Sequence, residues 1–365
     1  MTEASAAPIV IAIDSFKGSI RAADAAQAIA GGWRSVDAEG EILLCPMADG
    51  GEGTLDAFAA ADPGARRMSS WLLLPATDDA PNGTGVVELA STSGIELLGS
   101  PPQLRPWDAD TRGFGDAIAA ALAHGVSRLI LGIGSSASTD GGAGMLTALG
   151  ARFTDAAGRP LAPGARGLSH IANADLRELA PLPPGGVTVL SDVTSPLLGE
   201  RGAAAVFGPQ KGAGISDIPR LDAALARFAD LLDVDPETPG AGAAGGTGFG
   251  LLAWGARLVP GAEAVAQLID LPARLAAASL VITGEGSFDR SSAAGKTVSH
   301  VYGLAAARGI PIALVAGRIA RDASSSGFSG RISLTELAGS AASAQSEPAR
   351  WLRRAGAELA HELNG

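Results

Sequence analysis

The sequence predicts an α/β protein of two domains, and three observations lead to this fold class. The chain has 365 residues, of which 47% are hydrophobic and only 4% aromatic, a balance that suits helices packed on parallel sheets better than a β-sandwich. The apolar run Ile9–Ile13 predicts a buried strand, followed by a helix over Ala22–Trp33. A second unit follows, with a strand over Ile42–Cys45 and a helix over Thr54–Ala60. Two consecutive strand–loop–helix units indicate a βα architecture.

The carboxyl-terminal part of the chain repeats this pattern. Strands and a closing helix are predicted at Ser279–Thr283, Ile310–Ala316 and Glu347–Leu363. Similar patterns at the two ends of the chain indicate that both ends contribute to one α/β domain with a parallel Rossmann- or flavodoxin-like sheet. We therefore predict two α/β domains with a ligand cleft between them: a discontinuous domain of residues 1–75 and 270–365, and an inserted domain of residues 76–269.

The predicted inserted domain contains a helix–strand–loop–helix unit and a glycine-rich segment. Helices are expected over Gly115–Ala123 and Ala143–Leu149, and strands over Ser127–Leu131 and Val187–Leu190. Residues 236–250, PETPGAGAAGGTGFG, have the composition of a linker. Because this segment is long for a structureless loop, we expect it to be mobile or to border the ligand site.

Charge and composition exclude several classes of function. The formal net charge is -11 and no basic cluster is present, so binding of nucleic acid or of an anionic membrane has little electrostatic support. Cys45 is the only cysteine, which excludes an intrachain disulfide and a cysteine-based zinc site. The beginning, MTEASAAPIVIAID, lacks the positive region of a signal peptide, and no apolar run could span a bilayer. We expect a cytoplasmic protein; the oligomeric state stays open, with a homodimer as one option.

The chain has only three lysines among its 27 basic residues, and each adjoins a glycine. They are Lys17, Lys211 and Lys296, in FKG, QKG and GKT. A lysine presents a compact charge suited to phosphate, and a neighbouring glycine lets a ligand approach the backbone. Ordinary surface lysines near turns are the alternative; we favour the phosphate role, above all for Lys17 and Lys211. GKT is not a P-loop, because Arg290 stands where a Walker A sequence needs glycine.

Two DGG turns precede predicted helices, in DGGEGT at Asp49–Thr54 and DGGAGM at Asp140–Met145. An aspartate can cap the following helix, and the glycines leave room for an anion at the free N–H groups of the helix start. Plain strand-to-helix turns with capping residues are the alternative. Two copies, together with DSFKG after the first strand, favour sites for phosphate or carboxylate.

The loop GIGSSASTDGG follows a predicted strand. Its first part, Gly132–Ala137, fits the dinucleotide fingerprint G-x-G-x-x-A, so an NAD-dependent dehydrogenase is an alternative function. In that fingerprint the helix follows at once, whereas here Ser138–Gly141 intervene. The hydroxyl groups suit phosphate oxygens. We predict a loop that binds the phosphates of a nucleotide through Gly134, Ser135, Ser136, Ser138, Thr139, Asp140, Gly141 and Gly142.

Acidic residues follow three predicted strands. They are Asp14, Asp192 and Glu285, with Asp289 four residues after the last. The carboxyl ends of strands are where α/β sheets place their active groups. Phosphoryl transfer needs oxygen ligands for Mg²⁺, cations for the phosphate and a carboxylate near the attacking hydroxyl. These four residues are therefore candidates, although a helix cap is the default for Asp289 alone.

Five segments together resemble the bacterial type I glycerate kinases. They are IDSFKGS, CPMADGGEGT, SSASTDGGAGMLTALGARF, SDVTSPLLGERGAAAVFGPQKGA and LVITGEGSFDRSSAAGKT, in the family's order from about Ile9 to Gly317. The resemblance implies a two-domain α/β fold. It also implies transfer of the γ-phosphate of ATP to D-glycerate, usually giving 2-phosphoglycerate, with ATP and Mg²⁺ as cofactors.

The matching motifs imply roles for individual residues. In the substrate site the resemblance places Asp14, Ser15, Asp49, Glu52, Gln210 and Lys296. For catalysis we select Asp192 as the base, with Lys17 and Lys211 neutralising the charge of phosphate or substrate. The candidate Mg²⁺ ligands are Asp192, Glu285 and Asp289.

The chain departs from the family pattern in two of these motifs. Where the family typically reads CDVDNPL, this chain reads SDVTSPL over Ser191–Leu197 and so loses a carboxylate and an amide. Where the family typically reads GEGRID, Ser287 and Phe288 replace arginine and isoleucine, and Ala294 replaces the usual histidine before GK. These changes affect the prediction of which acid is phosphorylated more than the prediction of the reaction type. A kinase for another small hydroxy acid and a non-catalytic hydroxy-acid-binding protein therefore stay alternatives.

Overall fold

The structure is a computed structural model that describes residues 7–289, 297–321, 323 and 327–363. The strands are β1 (Ile9–Ile13), β2 (Ile42–Leu44), β3 (Arg66–Arg67), β4 (Leu72–Leu74), β5 (Thr84–Glu88), β6 (Arg128–Gly132), β7 (Arg152–Thr154), β8 (Asn173–Asp175), β9 (Val187–Leu190), β10 (Arg257–Val259), β11 (Leu280–Phe288), β12 (Ile312–Ile319) and β13 (Gly330–Ser333).

The α-helices are α1 (Ala22–Trp33), α2 (Thr54–Ala61), α3 (Ala90–Ser93), α4 (Arg112–His124), α5 (Ala143–Ala148), α6 (Gly164–Leu168), α7 (Ala203–Phe207), α8 (Ile218–Ala229), α9 (Ala243–Trp254), α10 (Gly261–Leu268), α11 (Leu271–Leu275), α12 (Thr297–Ala306), α13 (Leu334–Ala338), α14 (Ala341–Ser346) and α15 (Pro348–Leu363). Short 3₁₀ helices lie at Ile95–Leu98 and Pro209–Lys211. Within the described ranges, no helix combines the length and the apolar character needed to cross a membrane.

Contacts between residues divide the chain into two compact units. The first comprises Met1–Asp49, Asp56–Pro63 and Ala262–Gly365, and the second comprises Gly50–Leu55 and Gly64–Gly261. Each unit has its own sheet with parallel strands and its own helices. The predicted α/β fold class is therefore confirmed, whereas the predicted domain boundaries at residues 75/76 and 269/270 stay a prediction.

The first unit is built on a five-stranded parallel sheet in the order β13-β12-β11-β1-β2. Counted along this unit the order is 2-1-3-4-5, the doubly wound order of flavodoxin-like sheets. β1 is apolar throughout and every residue in it is buried, as a central parallel strand requires. The strand order reverses between β1 and β11, and the crevice at such a point is where these sheets bind ligands.

Helices α1 and α15 of this unit pack backbone to backbone. A Cβ atom at Gly32 would overlap the carbonyl oxygen of Arg353, and one at Gly356 would overlap that of Ile29. The two helices share a buried cluster with β1, to which they contribute Ala25, Ile29, Trp33, Trp351, Leu352, Ala355 and Leu359. This packing holds the central strand, and with it the residues that follow the strand, in a fixed position.

The second unit contains a six-stranded sheet in the order β10-β9-β6-β5-β4-β3. The pairs from β10 to β5 are parallel, whereas β4 and β3 add antiparallel strands at one edge. Strand β6 leads into the loop GIGSSASTDGG, and α5 begins directly after that loop. The predicted order of strand, loop and helix is therefore confirmed at this point.

Residues 236–250 form packed structure in place of a loose linker. Helix α9 begins within this segment at Ala243 and has left-handed backbone near its start, at Ala244–Gly246, and Gly245–Gly250 are buried. A Cβ atom at Gly245 would overlap the carbonyl oxygen of Ser138. The glycines therefore allow close packing against the GIGSSASTDGG loop and do not serve as a flexible tether. Of the two expectations for this segment, mobility does not agree with this packing, because composition does not distinguish these two uses of glycine; a position bordering the ligand site stays a prediction.

We predict that Gly245→Ala lowers the free energy of unfolding by roughly 2–4 kcal/mol, because the new Cβ adds left-handed backbone strain to an overlap with Ser138. The matched control is Gly125→Ala. Gly125 has φ 88° and no atom within 4 Å of an added Cβ, so this variant should lose only about 1 kcal/mol. Urea unfolding of both variants checks the difference, and equal losses would contradict the packing argument.

Candidate active site

A cavity of about 550 Å³ opens at the carboxyl ends of the central strands of the first unit. This volume is typical of small-molecule sites, which span ~300–1,000 Å³. Asp14 follows β1 directly, and Glu285 comes one residue after the last β11 residue that pairs with β1. Asp49 lies in the loop after β2. The predicted site residues that line this cavity are Asp14, Ser15, Lys17, Asp49, Glu285 and Asp289.

The carboxyl group of Asp14 is held from two sides. One oxygen accepts a hydrogen bond from the backbone N–H of Ser15 at 2.6 Å, and the other accepts one from the hydroxyl of Thr297 at 3.0 Å. Burial, followed by the negative charge of Asp49, raises the pKa of Asp14 to about 7, while the hydrogen bonds and Lys17 oppose the shift. The side chain is desolvated but still reaches the cavity surface. Asp14 can therefore exchange a proton with a ligand near neutral pH.

The FKG turn presents a hydroxyl and an ammonium group to the same cavity. Ser15 is 7% exposed, and within the described residues its Oγ atom has no hydrogen-bond partner. A buried hydroxyl without a partner needs an explanation, and a ligand oxygen supplies one. Lys17 is exposed on the cavity rim. Gly18 has a φ of 69°, which explains the glycine at this turn.

Glu285 and Asp289 add two more carboxylates to the cavity wall. Among the residues that the structure describes, no group of three or more His, Cys, Asp and Glu side chains could hold a metal ion by itself. Mg²⁺ in kinase sites usually takes one or two carboxylates together with phosphate oxygens and waters. A shared Mg²⁺ site of this kind at Glu285 and Asp289 stays a prediction. Lys296, predicted from the same motif, lies outside the described residues.

In the second unit, the GIGSSASTDGG loop encloses a lysine. Lys211 is 2% exposed, and its Nζ atom donates to Ser136 Oγ at 2.6 Å and to the carbonyl oxygen of Ser138 at 2.5 Å. Burial lowers the pKa of Lys211 to about 7, and the charge of Asp140 opposes this effect. The ammonium group holds the loop from within, so contact between Lys211 and a ligand phosphate stays a prediction.

The carboxylate of Asp140 occupies the N-terminal end of helix α5, which follows it in the chain. The residue is fully buried, and its carboxylate accepts hydrogen bonds from the backbone N–H groups of Thr111, Gly142 and Gly144 and from the hydroxyl of Thr111. Burial is the main cause that raises the pKa of Asp140. Four donors of the protein surround this carboxylate, which gives Asp140 a structural role in the loop.

A buried carboxylate of the protein also lies at the other DGG turn, in DGGEGT. Glu88 is 4% exposed, and its carboxylate accepts hydrogen bonds from the N–H groups of Gly53 and Leu55, at 3.3 and 3.0 Å, at the start of α2. A carboxylate in this position is favoured by the helix dipole, as a ligand anion would be. At both turns, N–H groups of the helix start are bonded to a carboxylate of the protein. In this conformation a carboxylate of the protein occupies each helix start, and binding of a ligand anion at the DGG turns stays a prediction.

Most of the predicted nucleotide loop is inaccessible. Gly134 and Ser135 are partly exposed, and the other candidate residues of the loop are buried. The hydroxyl oxygens of Ser138 and Thr139 are buried, and the described residues provide no hydrogen-bond partner for either. The exposed start of the loop is thus the part that a nucleotide can reach in this conformation.

The remaining predicted residues lie in the second unit in different settings. Asp192 is partly buried, and one of its oxygens accepts a hydrogen bond from the backbone N–H of Gly261 at 2.8 Å, at the start of α10. Glu52 is partly buried and Gln210 is exposed. Their assigned roles stay predictions.

Three residues of these sites were missed by sequence reasoning. They are Glu88, Thr297 and Arg318, and Arg318 lines the cavity of the first unit. Arg318 lies near the carboxyl end of β12, so the rule that selected Asp14 could have found it. Thr297 belongs to GKT, from which sequence reasoning selected only Lys296. Glu88 shows no sequence signal, because its contact with the α2 start joins positions 33 residues apart.

We predict that Asp14→Asn changes how stability depends on pH. The pKa of Asp14 is about 7 in the folded chain against an ordinary value of 3.8, so the wild type loses stability as pH rises through this interval. The variant escapes the loss and should gain roughly 1–3 kcal/mol relative to wild type between about pH 4 and pH 7. Calorimetric unfolding at a series of pH values measures this, with Glu358→Gln, whose side chain is 44% exposed, as the control. Parallel curves for Asp14→Asn and wild type would contradict the assignment.

Comparison with known proteins identifies the family. The model of the glycerate kinase family matches residues 9–364. The chain is 40% identical over 330 residues to a glycerate 2-kinase of Escherichia coli and 40% identical over 330 residues to a glycerate kinase of Bacillus subtilis, with 86% of each chain covered in both cases. A crystal structure from Salmonella typhimurium LT2, provisionally assigned as glycerate kinase 2, matches with a TM-score of 0.79 and 37% identity over 98% of both chains. The chain belongs to the glycerate kinase family.

Proposed function

We propose that the chain transfers the γ-phosphate of ATP to the 2-hydroxyl group of D-glycerate, releasing ADP and 2-phosphoglycerate. Family membership supports phosphorylation of glycerate, and the name of the Escherichia coli relative supports the 2-position. The observation that carries the proposal is the cavity of the first unit, where a carboxyl group with a pKa near 7 lies beside further carboxylates and a lysine.

Asp14 is the proposed general base. With a pKa of about 7, its carboxyl group is ionised in a large fraction of molecules at neutral pH and can accept the proton of the attacking hydroxyl. The hydroxyl oxygen forms its bond to the γ-phosphorus as the bond from that phosphorus to the leaving oxygen of ADP breaks. Lys17 supplies positive charge for the anionic groups of the ligands.

Glu285 and Asp289 are the proposed Mg²⁺ ligands on the cavity, and Asp192 is the remaining candidate from the sequence. When held by these residues, Mg²⁺ would supply positive charge against the phosphate groups. For the nucleotide, the proposal keeps the loop from Gly134 to Gly142, in which Gly134 and Ser135 are accessible. A cytoplasmic location, without nucleic-acid or membrane partners, is proposed from the acidic charge balance.

A kinase for another small hydroxy acid is the second candidate function. Ser287, which replaces the arginine typical of the motif, lines the same cavity, so the replacement lies where a substrate would be recognised. The dehydrogenase alternative has no support, because the family to which the chain belongs is one of glycerate kinases.

We predict that the purified chain releases ADP from Mg-ATP with D-glycerate faster than with L-glycerate, tartronate or glycolate. A coupled assay of ADP, run beside a control without acceptor, measures the rates, and NMR of the product assigns the phosphorylated carbon. Faster turnover with another acid would establish the second candidate. A 3-phosphoglycerate product would refute the proposed position of transfer.

We also predict that Asp14→Asn lowers kcat by a factor of about 10²–10⁴, as expected for loss of a general base. In the wild type, the activity should rise with pH around pH 7, and this rise should be absent from the residual activity of the variant. Glu358→Gln is the control and should retain the wild-type rate. Asp192→Asn tests the base selected from the sequence. A large loss in Asp192→Asn with a loss below about threefold in Asp14→Asn, or ~0.7 kcal/mol in the barrier, would reverse the two assignments.

A further inference from the structure

Arg318 occupies a defined place in the cavity of the first unit. It lies on β12 directly beside Ser287 of the neighbouring strand β11, in the parallel register of the two strands. Its guanidinium group donates a hydrogen bond to Ser287 Oγ at 3.3 Å. Both residues line the cavity that contains Asp14 and Lys17.

The cavity has a surplus of negative charge. Its described lining includes four carboxylates, Asp14, Asp49, Glu285 and Asp289, and two cationic side chains, Lys17 and Arg318. A ligand that carries a carboxylate or phosphate is repelled by such a surface unless local cations receive it. Among the described residues of the cavity, Lys17 and Arg318 are therefore the cationic side chains that can receive an anionic group of a ligand.

Most N–H groups of the Arg318 guanidinium have no hydrogen-bond acceptor among the described residues. Of its five N–H groups, one contacts Ser287, and that contact is long. Among the described residues no carboxylate lies within salt-bridge distance of Arg318. A guanidinium with a planar fork of donors binds the two oxygens of a carboxylate or phosphate in parallel.

The small side chain of Ser287 and the arginine at position 318 are complementary. Ser287 stands where the family motif GEGRID has arginine, and its short side chain leaves space at that point of the strand edge. Because parallel neighbouring strands lie ~4.8 Å apart, an arginine at position 318 can bring its guanidinium to a position close to the one that an arginine at 287 would reach. Arg318 can thus supply a positive charge at this point of the cavity, beside the position where the motif has arginine.

We propose that Arg318 is the specificity-determining cation of this cavity and binds an oxyanion group of a ligand. This inference rests on the proposed function. The group is either the carboxylate of glycerate or a phosphate of the nucleotide, since both present the same pair of oxygens. Arg318 is a binding residue in this role, and proton transfer remains with Asp14.

The test compares Arg318→Gln with Arg308→Gln. Arg308 is an exposed arginine of the same unit outside the cavity, and it donates to the carbonyl oxygen of Leu304, so its replacement controls for the loss of one positive charge. We expect Arg318→Gln to raise one KM by roughly 10- to 100-fold, the loss typical of a bidentate ion-assisted contact, while Arg308→Gln stays within about twofold of wild type. A raised KM for D-glycerate assigns the carboxylate, and a raised KM for ATP assigns the phosphate.

A second variant separates binding from a structural role. Arg318→Ser combined with Ser287→Arg returns the guanidinium to the neighbouring strand and should recover most of the affinity that Arg318→Ser alone loses. Recovery is expected only if the charge itself is needed in the cavity. If the double variant stays as weak as Arg318→Ser while both remain folded by calorimetry, the proposal is overturned.

Calorimetric titration with D-glycerate and with Mg-ADP keeps this inference distinguishable from the proposed function. Wild type that binds either ligand without turnover would refute the proposed function, and a tenfold weaker binding by Arg318→Gln would still support the role of Arg318. Equal affinities and KM values in Arg318→Gln, Arg308→Gln and wild type would overturn that role. Absence of binding by wild type to either ligand would overturn both proposals.

Discussion

The crowding of carboxylates at one edge of a parallel sheet is the constraint on which the candidate site depends. The order 2-1-3-4-5 places the carboxyl-terminal parts of β1, β2 and β11 side by side, so Asp14, Asp49 and Glu285 line one cavity although they are distant in sequence. Burial opposes ionisation of a carboxyl group, and like charges at close range add to this effect. The raised pKa of Asp14 follows from both causes. The apolar packing of β1 beneath α1 and α15 holds the arrangement against its own repulsion.

The second unit uses buried charge to hold its loops. Lys211 bonds to the GIGSSASTDGG loop from inside, Asp140 bonds to the helix start that follows it, and Glu88 bonds to the start of α2. Each of these charged groups is desolvated, and each is satisfied by hydrogen bonds, as buried charges must be. Sequence motifs that suggest ligand phosphate can therefore serve internal anions, because the same N–H groups suit both.

The sequence predicted much of the fold and part of the site. Strand β1, helix α1 and strand β9 have the predicted bounds, because continuous apolar runs and helical spacing are local signals. Asp14 was found because it follows a strand directly, and Lys17 because it is one of three lysines that adjoin a glycine; both line the cavity. The mobility expected as one option for residues 236–250 does not agree with their packing, because glycine marks close backbone contact as well as flexibility. Glu88 was missed, because its partners lie on another element.

The sequence by itself determined the α/β class, the glycerate kinase family and most of the acidic and lysine candidates for the site, because local patterns and motifs indicate each of them. The tertiary structure decided which of these residues share a cavity, which are enclosed as internal partners, and that Arg318 stands beside Ser287. The physical reason is that strand order and burial set the distances between remote residues and the dielectric around them. Those two quantities determine whether a charged side chain binds a ligand or supports the fold.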